Sequence, residues 1–139
     1  MASVNPPLLL ALVLCDTIIR EAGTNKYSLV GTFNTLFVRQ LPCTHPSLAV
    51  YVALTDGRGQ VPAALRLVGI ETGKEVFGLK GTIDFRDPTG VAELAFQIPN
   101  VRFEGLGEYA LEFLADGELL GSRKLRVQMT KQQGAGDRG

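Results

Sequence analysis

The sequence predicts an all-β domain, built as a two-sheet antiparallel β-sandwich of about seven to nine strands. Apolar and polar residues alternate in short runs, turn signals separate these runs, and helical periodicity is nearly absent. The 139 residues have the length of one domain, with 45% apolar and 20% charged residues as in globular proteins. We therefore expect a single sandwich domain over residues 1–130 and a polar, Gly-rich tail over residues 131–139.

The first strand is predicted from Leu8 to Arg20, with an early half that is apolar on both faces, as in a central strand. The same stretch, Pro7–Cys15, is also compatible with a secretory signal. However, no Lys or Arg precedes it, and Leu14 stands where a processing site needs a small residue. Nine residues are also too few to span a bilayer as a helix. We predict a buried strand, with an export signal as the weaker alternative.

The middle of the chain predicts several short strands divided by turns. They are Tyr27–Phe33, Leu48–Thr55, Leu65–Ile70, Lys74–Leu79, Thr82–Phe85 and Val91–Ile98. Leu36–Val38 either extends the second strand or forms a short one of its own. Leu41–Pro46 is predicted to be irregular because prolines cannot donate to a sheet. Pro99 and Asn100 are expected to end the strand that precedes them.

The last third of the chain carries the most specific signals. Glu108–Ala115 and Leu119–Met129 alternate as strands, and Asp116-Gly117 between them is a two-residue hairpin signal. Tyr109 follows a Gly-rich segment at the start of the penultimate strand. This is the position of a tyrosine corner, in which the hydroxyl bonds to nearby backbone, and it makes the predicted sandwich immunoglobulin-like. An ordinary strand aromatic is the alternative.

The charge balance argues against a nucleic-acid partner. Fourteen basic residues offset fourteen acidic ones, whereas proteins that contact phosphates usually carry a basic excess. The basic cluster at Arg123, Lys124 and Arg126 alternates with Leu125 and Val127, which indicates the solvated face of a strand. We predict neither a nucleic-acid nor a membrane partner.

Residues able to perform chemistry are few. His45 is the only histidine, and Cys43 lies close enough to share a strand face with it, as a nucleophilic pair would need. No family signature surrounds the pair, so we interpret it as a loop histidine and a half-buried thiol. One His and two Cys are too few for a typical zinc site. We predict no catalytic residue, no metal and no cofactor, and hence no enzyme.

The two cysteines and three glutamates have ordinary structural interpretations. Cys15 and Cys43 are compatible with one disulfide or two buried thiols, and without a clear signal peptide we favour reduced thiols in a cytoplasmic protein. Glu93, Glu108 and Glu112 alternate with predicted core residues and are expected to face solvent.

Five short segments of the chain resemble a family of small bacterial proteins known only as a domain of unknown function. They are Cys15–Ile19, Leu29–Asn34, His45-Pro46, Leu54–Gly57 and Asp116–Gly121. The resemblance spans roughly Leu10 to Val127. It implies a bacterial cytoplasmic β-sandwich and brings no functional residue with it.

The functional expectation is therefore a non-enzymatic binding or assembly module that acts through strand edges and end loops. Its partner would be a protein or a second copy of the chain, and Lys74–Leu79 and the first strand are the candidate edges. The alternative is an enzyme or small-ligand site assembled from loop residues near His45, Asp56 and Arg58. An exported surface domain is a third, weaker hypothesis.

Overall fold

The computed structural model describes residues 6–131, which form nine strands in two sheets. The strands are β1 (Leu8–Arg20), β2 (Tyr27–Thr32), β3 (Thr35–Val38), β4 (Cys43–Thr55), β5 (Gly59–Gly69), β6 (Glu75–Phe85), β7 (Val91–Phe103), β8 (Gly107–Ala115) and β9 (Glu118–Met129). Sheet A has the order β2-β1-β4-β7, and sheet B has the order β3-β9-β8-β5-β6. The predicted two-sheet, all-β fold is confirmed.

Sheet A is antiparallel throughout, but sheet B is mixed, so the prediction of antiparallel pairing is wrong at one strand. β3 pairs in parallel with β9, from Thr35 opposite Arg126 to Val38 opposite Met129. Only Phe33 and Asn34 separate β2 from β3, so the chain passes from one sheet to the other without reversing direction. β3 therefore keeps the direction of β2, and in this direction it lies parallel to β9.

β1 has the predicted bounds and lies inside sheet A. It pairs with β4 from Leu8 to Cys15 and with β2 from Cys15 to Arg20. Its first part, Leu8 to Val13, pairs with β4 alone and has no partner on its other side among the described strands, and Leu8 and Leu10 are exposed. The prediction of a central strand is therefore wrong for this part, whereas the candidate edge at the first strand is present there. The other candidate edge, Lys74–Leu79, belongs to β6, the terminal strand of sheet B.

β4 and β7 are longer than predicted because both continue through their prolines. Ser47 lies opposite Pro99 and His45 opposite Val101, so the pairing extends past the predicted breaks. β1 has already left β4 at Ala49, and β7 is an edge strand, so neither proline faces a strand that needs its missing donor.

β6 also joins two predicted strands into one. Its register with β5 is unbroken from Phe85, opposite Gly59, to Phe77, opposite Leu67. Gly81, between the two predicted segments, lies opposite Ala63. The chain therefore stays in the sheet through residues that have little intrinsic strand preference, because β5 supplies a partner at each position.

The core lies between the sheets and consists of apolar side chains from both. Its largest fully buried members are Phe103, Phe113, Leu48, Leu54, Leu65, Leu67, Leu111 and Leu125. The Tyr109 hydroxyl donates a hydrogen bond to the Gly105 carbonyl at 2.5 Å, as in a tyrosine corner, and its ring meets Phe103 edge-on. At the β8–β9 turn, Asp116 and Gly117 have φ values of 51° and 78°, which suit a type I′ turn.

Candidate functional site

The residues of the predicted ligand site do not come together. His45 lies near the start of β4 and Asp56 directly follows its end, so the two are separated by roughly 35 Å along an extended strand. The prediction of one site near both residues is therefore wrong. Their polar character gave no indication that a single uninterrupted strand would separate them.

His45 lies on β4 with its ring 6.2 Å from the ring of Phe33, measured between centroids. It is half-buried, as is Cys43. The segment predicted to be an irregular loop is thus the first part of a strand, and the histidine packs against an aromatic side chain. This environment supports a packing role for His45.

Asp56 and Arg58 do lie together, in a depression of about 350 Å³ that Pro6 and Pro88 complete. Asp56 has a φ of 62°, and its amide donates to the Pro88 carbonyl at 3.0 Å. The β4–β5 turn is thereby tied to the β6–β7 loop. The depression places one acidic and one basic group between two prolines.

The two cysteines are free and far apart. Cys15 lies opposite Ala49 on β4, and Cys43 is six residues further along that strand, or roughly 20 Å away. A disulfide needs Cα atoms within about 7 Å, so the described arrangement excludes a bridge between them. Burial, with a smaller contribution from the Asp16 carboxylate, raises the pKa of the Cys15 thiol. A thiol in such surroundings is unreactive.

Charged side chains pair on the outer face of sheet B. Glu108 accepts a hydrogen bond from Arg126 at 2.9 Å and lies 3.4 Å from the Lys124 ammonium. These partners lower the pKa of Glu108. Arg66 and Glu112 form a further pair at 2.6 Å. Lys124 and Arg126 therefore lie on a solvated strand face, as predicted, and Glu108 neutralises part of their charge. The prediction is wrong for Arg123, which is exposed but lies opposite the inward-facing Leu111 on the other face of the strand.

Two findings describe what residues 6–131 do not contain. No group of three or more His, Cys, Asp or Glu in this range is placed to hold a metal ion. No helix in the same range is long and apolar enough to cross a membrane.

The most distinctive surface feature is an apolar gap behind the middle of β6. Leu79, Gly81 and Ile83 pair with Leu65, Ala63 and Val61, whose even spacing puts all three β6 residues on the inward face. A Cβ atom at Gly81 would have no heavy atom within 4 Å. The two small residues Gly81 and Ala63 thus leave a cavity of about 140 Å³. The larger side chains around it are Leu65, Leu79, Ile83, Leu94, Phe96 and Phe113.

The gap opens at a free strand edge. β6 pairs only with β5, so the other side of its backbone has no partner among the described strands. Gly78 to Thr82 are all exposed, including the inward-facing Leu79 at 38%. A second depression, of about 690 Å³, lies on the opposite face of the same segment, beside Arg66 and Lys80. The middle of β6 is therefore accessible from both faces and from its edge.

Sequence reasoning identified part of this edge and missed the gap. The predicted candidate edge ends at Leu79 and therefore excludes Gly81. The signal for the gap is a pair of small residues, Ala63 and Gly81, but this pair becomes visible only when the register of β5 and β6 is known.

The comparison with protein families gives one match. The model of a family of unknown function, DUF6941, matches residues 10–128. The chain belongs to this family. The resemblance to a domain of unknown function is thereby confirmed, over nearly the predicted span. No curated protein matches this DUF6941 member.

Two solved structures share a distant similarity with this DUF6941 member. One is the alkylpurine DNA glycosylase AlkC of Pseudomonas fluorescens bound to DNA containing an abasic site analog. It has 9% identity and a TM-score of 0.45, over 68% of this chain and 27% of the glycosylase. The other is the sensor domain of the anti-sigma factor RsgI4 of Pseudobacteroides cellulosolvens. It has 11% identity and a TM-score of 0.42, over 71% of this chain and 90% of that one.

Proposed function

We propose that this protein is a non-enzymatic binding module that takes up an extended segment of a protein along the free edge of β6. One observation carries the proposal, namely that an apolar cavity opens behind an unpartnered strand edge at Gly81. Strand addition of this kind draws affinity from the main-chain hydrogen bonds of the edge and specificity from pockets for alternate side chains.

The cavity defines the chemistry of the segment. An added strand presents every second side chain to the inward face of sheet B. Its residue opposite Gly81 would place an apolar side chain beside Leu79, Phe96 and Phe113, where such a side chain leaves water. On the other face of the strand, Lys80 favours an uncharged or acidic neighbour over a basic one.

We propose in addition that the sandwich is immunoglobulin-like and that the protein is cytoplasmic. The sheets of four and five strands, the strand that changes sheets and the Tyr109 hydrogen bond support an immunoglobulin-like sandwich. A free, buried Cys15 supports residence in the cytoplasm, where thiols stay reduced.

Selection from a displayed library of random extended peptides tests the proposal. We expect the selected peptides to alternate apolar and polar residues, and to slow hydrogen exchange of the amides in residues 75–85. Gly81→Val, which fills the cavity, should weaken binding at least about tenfold, equivalent to about 1.4 kcal/mol. Thr82→Val, one residue further along and on the opposite face, is the matched control and should bind as the parent does.

Two results would overturn the proposal. One is selection of peptides without alternation, or of none. The other is equal binding by the parent and Gly81→Val proteins. The unfolding midpoint of each variant must match or exceed that of the parent, so that loss of binding cannot arise from loss of fold.

A further inference from the structure

We infer that the segment bound at β6 is β6 of a second copy, so that two copies join their sheets B edge to edge around a twofold axis. This inference rests on the proposed function and names its partner. An isologous contact of this kind needs one surface that complements itself. The eleven residues of β6 meet this requirement in one register.

The first constraint on the register is the side-chain face. A twofold axis normal to a continuous sheet pairs antiparallel strands so that inward residues lie opposite inward residues. The inward residues of β6 include Phe77, Leu79 and Gly81, whereas Lys80 points outward. The axis can therefore pass through one residue near the middle of β6, namely Leu79, Lys80 or Gly81.

Charge and volume distinguish these three registers. An axis at Lys80 places the two Lys80 ammonium groups directly opposite each other, which is repulsive. An axis at Gly81 sets one cavity against the other and fills neither. An axis at Leu79 pairs the two Leu79 side chains, places Phe77 of each copy opposite Gly81 of the other, and faces Lys80 with Gly78.

In the register centred on Leu79, Phe77 of each copy supplies the large apolar side chain that is missing at Gly81 of the other copy. Side chains directly opposite in antiparallel strands have Cβ atoms about 5 Å apart, within reach of an aromatic ring. Phe77 is half-buried at the edge of the core and points to the same face as the cavity. Each phenyl ring would then cover the glycine of the other copy, an arrangement known to strengthen glycine-containing strand edges.

Cysteine cross-linking tests this register directly. In the register centred on Leu79, the two Leu79 Cα atoms lie about 4.5 to 5.5 Å apart, within the range that a disulfide spans. Leu79→Cys, in a background with Cys43→Ser, should form a disulfide-linked dimer upon mild oxidation. Leu119→Cys, on β9 and 54% exposed, is the matched control and should stay monomeric.

Sedimentation of the unmodified chain provides the second arm. We expect dimer formation to rise with concentration up to about 1 mM. Phe77→Ala and Gly81→Val should each shift the equilibrium toward monomer at least about tenfold. Gly81→Val should do so without lowering the unfolding midpoint, which separates loss of contact from loss of fold.

The outcomes separate this inference from the proposed function. A strict monomer whose β6 edge still binds peptides overturns the dimer but leaves the proposed function intact. Efficient cross-linking of Leu119→Cys, without cross-linking of Leu79→Cys, also overturns the dimer alone. A monomer that binds no peptide overturns both. The peptide selection is done at low protein concentration, where copies of the chain compete least with the peptides.

Discussion

Sheet B contains two hairpins that share a border but differ in how they are covered. In β8–β9, the inward-facing apolar side chains Tyr109, Leu111, Phe113, Leu125 and Val127 are buried. In β6, the outer strand of the β5–β6 hairpin, only Ile83 and Phe85 are buried, and both lie near its end. The difference is not one of composition alone, since both hairpins alternate apolar residues inward.

A strand inside the sheet contributes mainly to stability, whereas a strand at its edge is accessible to a partner. β8 has a strand on each side and the opposite sheet above it, whereas β6 has one neighbouring strand and a cavity beneath its middle. Regions with few buried contacts open more easily and are the usual location of binding surfaces. We therefore expect substitutions in β8–β9 to change stability, and substitutions in the middle of β6 to change binding.

The largest expected effect comes from truncating the same residue type in both hairpins. Leu111→Ala should lower the free energy of unfolding by about 3 kcal/mol, because the side chain is fully buried. Leu79→Ala should cost about 1 kcal/mol, because it is 38% exposed beside a cavity. Urea unfolding at low protein concentration measures both. If both variants lost the same free energy of unfolding, the assignment of stability to β8–β9 and of binding to β6 would be contradicted.

The next effect tests the hydrogen bond at the start of β8. Tyr109→Phe should lower the free energy of unfolding by about 1 kcal/mol, since it removes the bond to the Gly105 carbonyl and keeps the ring against Phe103. Tyr51→Phe is the control: its hydroxyl donates to Glu93 at an exposed site, so it should cost only a few tenths of a kcal/mol. A negligible effect at Tyr109 would show that the ring alone stabilises the corner.

How much the sequence predicts differs between the hairpins in the same way. In β8–β9 the alternation, the Asp116-Gly117 turn and Tyr109 are local signals, and each agrees with the structure. In β6 the decisive feature is a gap between Gly81 and Ala63, residues that are far apart in the chain. Local patterns specify strands and turns, whereas a cavity depends on register.

The same limit explains the errors elsewhere in the sheets. Pro46 and Pro99 are locally unfavourable in a strand, and only their places beside unpaired edges make them acceptable. His45 and Asp56 are both polar residues next to turn formers, but β4 separates them. The candidate site therefore follows from tertiary pairing, which composition and alternation do not encode.

A smaller effect, of opposite sign in the two hairpins, is expected from Gly→Ala. Gly81→Ala should stabilise the protein by about 0.5–1 kcal/mol, because its φ lies outside the left-handed region and its Cβ would meet open space. Gly117→Ala should destabilise it by about 1 kcal/mol, since its φ of 78° disfavours a side chain. Thermal unfolding distinguishes the two, and destabilisation by Gly81→Ala would contradict the assigned cavity.

The last effect, which appears only at high pH, lies on sheet A, outside both hairpins, where it serves as a reference. Burial, with a further contribution from the hydrogen bond to Glu93, raises the pKa of Tyr51 from 10.0 to about 12. A phenol whose pKa is higher in the folded state contributes stability that is fully present below pH 10.0 and is lost as the pH rises from there to about 12. The tyrosinate absorbance that is lost in the Tyr51→Phe variant should appear only as the pH approaches about 12. Glu93→Gln should lower the pKa of Tyr51 by removing the charged acceptor, while leaving dimer formation at β6 unchanged.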